Sequence, residues 1–158
     1  MMTVTLREVR DTDLPIFFEH QQDKDAVYMA AFTHKDPTDR TAFDAHWAKI
    51  RASESVINRT IEVDGRVAGH IASFDMFGDR EITYWIGREY WGQGVATAAL
   101  TRLLETETIR PLYGRAAKDN IGSIRVLEKC GFVLVGEDKG FANARQEEIA
   151  EVVLKLQS

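Results

Sequence analysis

The 158-residue chain has a single cysteine, Cys130, so it can form neither an intrachain disulfide nor a cysteine-based zinc site. A reducing, cytoplasmic setting is the expectation. No apolar run approaches the roughly 20 residues that span a bilayer, so no membrane association is expected. The opening Met-Met-Thr-Val-Thr has no basic segment ahead of an apolar core, and no secretion signal is expected. Repeats, low-complexity tracts and linkers are absent. The four histidines, His20, His34, His46 and His70, lack a metal-ligand spacing, so no metal is expected. Positive charge is in deficit: 20 Lys and Arg against 25 Asp and Glu give a net charge of −5. That argues against nucleic acid, whose binding depends on neutralising phosphates. It suits a cationic amine weakly, and solubility explains it equally well.

What is present reads as one globular domain over residues 1–158, with 44% hydrophobic residues and a mean hydropathy of −0.27. A domain near this size buries roughly 70% of its unfolded surface. Thr3 to Val9 reads as an opening strand. Asp11-Thr12-Asp13 caps a helix whose apolar face begins with Leu14, Phe17 and Phe18. Lys35 to Thr38 reads as a turn, with Thr38 capping a helix that carries Phe43, Trp47 and Ile50 as one stripe. Strands at Ile57 to Val63 and Arg66 to Phe74 flank Asp64-Gly65, a strong hairpin signal. Gly78-Asp79-Arg80 turns into a strand bearing Glu81. A helix from Val95 to Ile109, a strand near Leu112 to Ala117 and a helix from Asn120 to Gly131 follow. Strands near Val133 to Asp138 and Glu148 to Leu156 close the chain.

The most informative stretch is Trp85 to Leu100. An apolar segment, Glu81-Ile-Thr-Tyr-Trp-Ile86, runs into a loop with glycines at 92 and 94, and a helix starts at Val95. Glycines let the backbone come close to a ligand, and the first amides of a helix lack intrahelical acceptors. Together they make an anion cradle suited to phosphate or pyrophosphate. The loop is not Gly-x-x-x-x-Gly-Lys-Ser/Thr, nor Gly-x-Gly-x-x-Gly with a strand–helix–strand unit, which disfavours ordinary nucleotide and dinucleotide sites.

The run Trp91-Gly92-Gln93-Gly94-Val95-Ala96 resembles the acyl-CoA loop, Gln/Arg-x-x-Gly-x-Gly/Ala, of the GCN5-related N-acetyltransferases (GNAT). Trp91 replaces the usual Gln or Arg, and Tyr90-Trp91-Gly92 resembles the RimJ/RimL-like branch. A second segment, Asn120-Ile-Gly-Ser123 leading to Gly131-Phe132, resembles the family's Asn-x-x-Ser/Ala helix ending in Gly-Phe. The motifs cover Glu81 to Phe132, and the rest matches by order of elements. The resemblance implies a mixed α/β fold: a mostly antiparallel, twisted sheet of six to seven strands with about four helices, splayed at the acetyl-CoA site.

It also implies the chemistry. Acetyl-CoA is the co-substrate, and the amides of Gly92, Gln93, Gly94, Val95, Ala96 and Thr97 take its pyrophosphate. The strand ending at Trp85-Ile86 pairs with the pantetheine arm. One such amide then holds the thioester oxygen as charge develops, worth roughly 3 kcal/mol. Asn120 and Ser123 lie near the thiol. The acetyl group passes to a primary amine by direct attack in a ternary complex. The acceptor is a protein N-terminus, as the branch suggests, or a small amine such as an amino acid, polyamine or antibiotic. Homodimers are common in the family.

Glu81 is the candidate general base, since several family members carry a glutamate on this strand; alternation puts it on one face with Trp85. The bland reading is a solvent-facing glutamate at a strand start. The base's task depends on the acceptor: deprotonation at pH 7 costs roughly 1 kcal/mol for an α-amine and roughly 4.6 kcal/mol for a lysine amine. The family's usual acid, a tyrosine four residues before the Gly of Gly-Phe, is replaced by Leu127. Ser123 is the candidate replacement, with Tyr84 and Tyr113 behind it, and a helix-start hydroxyl bonding locally is its ordinary role. Cys130 reads as packed and inert. Tyr28, Met29, Phe32 and His34 form a loop cluster that grips an acceptor or caps the core, and Arg125 and Lys129 read as solvated. The rivals are a non-catalytic acyl-CoA-binding sensor of the same fold and an unrelated phosphate-binding enzyme.

Overall fold

The computed structural model describes residues 2–158. Seven strands form one sheet in the order β1-β2-β3-β4-β5-β7-β6. They are β1 (Val4–Glu8), β2 (Ile57–Val63), β3 (Arg66–Met76), β4 (Asp79–Ile86), β5 (Leu112–Ala117), β6 (Val133–Ala142) and β7 (Glu147–Leu156). Five helices accompany them: α1 (Leu14–His20), α2 (Lys24–Ala30), α3 (Arg40–Ala52), α4 (Val95–Thr106) and α5 (Ile121–Lys129). All neighbouring strands are antiparallel except β4 and β5, which run parallel. The expected mixed α/β architecture, splayed where β4 and β5 part, is the one observed.

Both tight hairpins follow from glycine placed where backbone handedness requires it. Asp64 and Gly65 (φ 51° and 82°) join β2 to β3, and Phe77 and Gly78 (φ 52° and 84°) join β3 to β4. Two successive positive φ values match the right-handed strand twist. The second turn lies one residue earlier than Gly78-Asp79-Arg80 suggests, so β4 begins at Asp79.

One sheet face packs on α4 and α5. Val95, Ala99, Leu100 and Leu103 of α4 and Leu127 of α5 bury against Ile61, Ile71, Ile82, Leu112 and Leu154. Each fully buried leucine contributes about 1.5–3 kcal/mol. The other face carries Phe17 of α1 with Phe43 and Trp47 of α3, and a smaller cluster of Ala31, Ala117 and Ala142 beneath Phe32.

Several boundaries differ from the sequence reading. Thr38 does not cap α3; its hydroxyl bonds Asp36, and the Asp39 carboxylate caps by accepting from the Ala42 amide at 3.0 Å. Tyr28 and Met29, expected in a loop cluster, lie instead in α2, whose cap is Asp23 accepting from the amides of Asp25 and Ala26. Helix α4 stops at Thr106 instead of Ile109. There the buried Glu107 carboxylate turns to Arg80 and accepts from the Ile109 amide at 3.1 Å. Strand β6 runs on to Ala142 because the backbone ladder with β7 continues past the apolar pattern. Among the described residues, no helix is long and apolar enough to cross a membrane.

Candidate functional site

The β4–β5 ladder is short, joining only Arg80 to Ile82 with Leu112 to Gly114. Beyond Ile82, β4 stays paired with β3 as far as Ile86 and, among the described residues, has no strand neighbour on its other edge. The Gly87 amide donates to the Ala68 carbonyl of β3 at 2.8 Å. Because successive strand amides point to opposite edges, Trp85 also turns its backbone groups to β3. The donors facing the opening belong to Tyr84 and Ile86. Of the two residues expected to pair with a ligand arm, only Ile86 therefore presents its backbone there, with Tyr84 as the second. The indole N–H of Trp91 donates to the Ile86 carbonyl at 2.8 Å, which fixes the loop to this strand end.

The loop holds Gly92 at φ 73° and Gly94 at φ 78°, a region where any other residue is strained. A Cβ added at either would meet no atom within 4 Å. Steric crowding by the protein thus does not explain these glycines; the handedness of the turn and open approach do. Among the described residues, none of the amides from Gly92 to Thr97 has a protein acceptor. The next one along, Ala98, bonds the Gly94 carbonyl at 3.0 Å. Six consecutive free donors at the N-terminus of a 12-residue helix are the geometry that takes a phosphate. The Gln93 side chain folds back to the Glu89 carbonyl and leaves those amides clear. Val95 is buried beneath the loop, and Ala96 and Thr97 are partly exposed.

Glu81 lies on the sheet face shared with Trp85, opposite Phe74 on β3 and Tyr113 on β5. It is not the solvent-facing strand-start residue of the bland reading: its side chain is 5% exposed and accepts from Arg115 Nε at 3.2 Å. Arg115 also pairs with Asp138 at 2.9 Å and Glu151 at 3.1 Å, so three carboxylates converge on one guanidinium. Burial pushes the Glu81 carboxyl above its ordinary value, while the Arg115 charge pulls the other way. Its second oxygen makes no hydrogen bond among the described residues. Arg115 carried no signal in the sequence.

Ser123 lies across the sheet from Glu81. Its Oγ is 2.8 Å from the Tyr84 hydroxyl, on the face of α4 and α5. Asn120 caps α5, accepting from the Ser123 amide at 3.3 Å, and its Nδ2 donates to the Met29 carbonyl at 3.3 Å. Leu127 points into the core at 1% exposure, so no acid group occupies that position. Cys130 packs near Thr97 and Thr101, and burial pushes its thiol up. That placement suits the inert reading.

Helix α2 is held from several sides. Arg145 donates to the Tyr28 carbonyl at 2.7 Å, lies over the Tyr28 ring at 3.9 Å and pairs with Asp119. Asn143 donates to the Thr33 carbonyl at 2.7 Å, and Arg88, next to the glycine loop, pairs with Asp23 and Asp25. Phe32 packs on Ala117, whose strand position shares the sheet face that carries Glu81. His70 lies between Phe17 and Trp47, and burial pushes its imidazole down to about 3. His34 and His46 stack edge-on at 4.9 Å, and among the described residues no group of three or more side chains is arranged to hold a metal. Arg125 and Lys129 are exposed without ion-pair partners among those residues.

Residues 3–133 match the family model described as an acetyltransferase (GNAT) domain. No curated protein matches the sequence significantly. Many solved structures are similar. RimJ of Mycobacterium smegmatis, in complex with CoA-disulfide, matches with a TM-score of 0.84 at 21% identity, over 98% of this chain and 82% of that one. Ribosomal-protein-alanine N-acetyltransferase from Brucella melitensis matches at 0.80 and 19%, over 98% and 99%. Spermidine N-acetyltransferase from Vibrio cholerae, in complex with CoA and spermine, matches at 0.78 and 18%, over 96% and 95%. At these identities the likeness speaks to the fold; the family model speaks to membership. The chain belongs to the acetyltransferase (GNAT) family, the acetyl-CoA-dependent N-acetyltransferases.

Proposed function

We propose that residues 1–158 act as one cytoplasmic N-acetyltransferase domain, moving the acetyl group of acetyl-CoA to a primary amine by direct attack in a ternary complex. The six amides from Gly92 to Thr97, which have no acceptor among the described residues and lie beside an edge of β4 unpaired among them, carry this reading. The residues present fit acetyl-CoA: free donors for a pyrophosphate, open space above both glycines, and a strand edge for an extended arm.

Acetyl-CoA supplies an activated acyl group when bound, and the protein does the rest. Gly92, Gln93, Gly94, Val95, Ala96 and Thr97 hold the phosphates through their amides. The Tyr84 and Ile86 amides donate into the opening, where one stabilises negative charge on the thioester oxygen. Asn120 fixes the start of α5 and thereby the position of Ser123. Glu81 accepts the amine's proton, directly or through water, using the oxygen that Arg115 leaves free. Its raised carboxyl is a better base than a surface glutamate. Ser123 serves the leaving sulfur. The acceptor is an N-terminal or small-molecule amine. The ribosomal-protein-alanine and spermidine N-acetyltransferases among the structural neighbours support that range.

The test is release of free CoA thiol from acetyl-CoA with alanyl and seryl peptides, spermidine and amino acids as acceptors. Turnover with at least one amine is expected, and Glu81→Gln lowers kcat with acetyl-CoA affinity unchanged. Tight acetyl-CoA binding with no turnover across the panel replaces the enzyme with the sensor reading, which Leu127 at the usual acid position favours.

A further inference from the structure

Tyr84 is the residue of β4 that reaches both sides of the opening. Its backbone amide faces the unpaired edge, and its side chain crosses to α5, where its hydroxyl lies 2.8 Å from Ser123 Oγ. Both side chains are partly buried. The Ser123 main-chain carbonyl lies at 3.4 Å from the same phenol, a weaker alternative acceptor. A serine hydroxyl has one proton and rotates freely, so on its own it would spend that proton on a carbonyl of the preceding helical turn. A phenol that donates to Oγ occupies one oxygen lone pair and turns the serine proton elsewhere.

We propose, building on the acetyltransferase reading, that Tyr84 is a positioning residue: its hydroxyl donates to Ser123 Oγ and so aims the Ser123 proton at the sulfur of the CoA leaving group. Two hydroxyls from two elements thereby replace the single tyrosine whose place Leu127 fills. As the C–S bond breaks, its electron pair stays on sulfur. The thiolate is met by the Ser123 hydrogen bond and takes its proton from solvent afterwards. The amine's proton leaves separately, to Glu81 or water. Full proton transfer from Tyr84 is not part of the step. Burial holds the phenol up at about 12, so it keeps its proton about three-thousandfold more tightly than a thiol near 8.5. Among the described residues, the other titratable group acting on Tyr84 is Cys130 at the end of α5, itself pushed up by burial and therefore uncharged near neutrality.

The experiment needs no acceptor and no turnover. Dissociation constants of CoA and of desulfo-CoA, which lacks the thiol, are measured from pH 6.5 to pH 9 on the wild type, Tyr84→Phe, Ser123→Ala and the double variant. A hydrogen bond to a thiolate makes CoA gain on desulfo-CoA as pH rises, by about tenfold in the wild type. Tyr84→Phe keeps the ring and the backbone amide, and its circular dichroism spectrum serves as the folding control. Both single variants are expected to lose the gain, and the double variant to lose no more than Ser123→Ala, because the residues act in series. Ser123→Thr, which keeps a hydroxyl, is expected to retain it. A pH-dependent gain that survives Tyr84→Phe overturns the proposal, as do losses that multiply in the double variant. Failure of the wild type to bind CoA at all overturns the acetyltransferase reading beneath it, and the two failures are thus told apart.

Discussion

Replacing Arg115 should move the acidic limb of the pH–rate profile upward. The proposed base, Glu81, can take a proton only when ionised, so activity is expected above its folded pKa and lost as pH falls through that value. Burial already raises that pKa, and Arg115, 3.2 Å away, is what restrains it. A charge pair near 4 Å is worth about 4 kcal/mol at an effective dielectric of about 20. Arg115 is 28% exposed and shared with Asp138 and Glu151, so about half of that, about 2 kcal/mol, is the share expected at Glu81. Arg115→Met removes that restraint and should raise the limb. Glu151→Gln removes a like charge that raises Glu81, so it should shift the limb the opposite way. The assay is kcat against pH at saturating acetyl-CoA and acceptor, with melting temperature followed in parallel. A limb that stays in place in both folded variants would refute Glu81 as the titrating base.

Gly94→Val should abolish acetyl-CoA-induced stabilisation, since the side chain enters the space above the free amides. The φ of 78° adds a cost of about 1–2 kcal/mol to the apo protein, which thermal melting will show. Asp13 is a structural counterpart of Glu81. Burial would push its carboxyl up, but hydrogen bonds from Arg7, the Arg10 amide and Thr60 together hold it at about 2. Its contribution, about 2 kcal/mol, is complete above pH 3.8 and lost as pH falls through about 2, so Asp13→Asn should destabilise at pH 7 and flatten the acid side of the stability curve. Leu127→Tyr, which restores the family's usual acid in sequence, should not raise kcat. The site faces the core against Gly114, and overpacking should cost about 1–3 kcal/mol in denaturant unfolding.

What the sequence made legible was local. Asp64-Gly65, the spacing of Phe43, Trp47 and Ile50, and the glycine loop before Val95 each encode their structure within a few residues. Helix α2 escaped notice because it spans seven residues and buries one of them, Ala26, too little for an apolar stripe. The ion cluster at Glu81 joins β4, β5, β6 and β7 across separations of 34, 23 and 36 residues, and no local pattern encodes such a meeting. The Tyr84–Ser123 pair, 39 residues apart, is hidden for the same reason. Alternation placed Glu81 on a face; only strand pairing could reveal that Arg115 waits beside it.

Thermal unfolding with acetyl-CoA, CoA, ATP and NAD in parallel shows whether the loop from Gly92 to Thr97 holds the phosphates of acetyl-CoA. A ligand at about 100 times its dissociation constant adds roughly 2.7 kcal/mol to stability. A rise in melting temperature is expected with both CoA species, none with ATP or NAD, and loss of the rise in Gly94→Val. No rise with CoA or acetyl-CoA, or a rise that persists unchanged in the folded Gly94→Val variant, would contradict it.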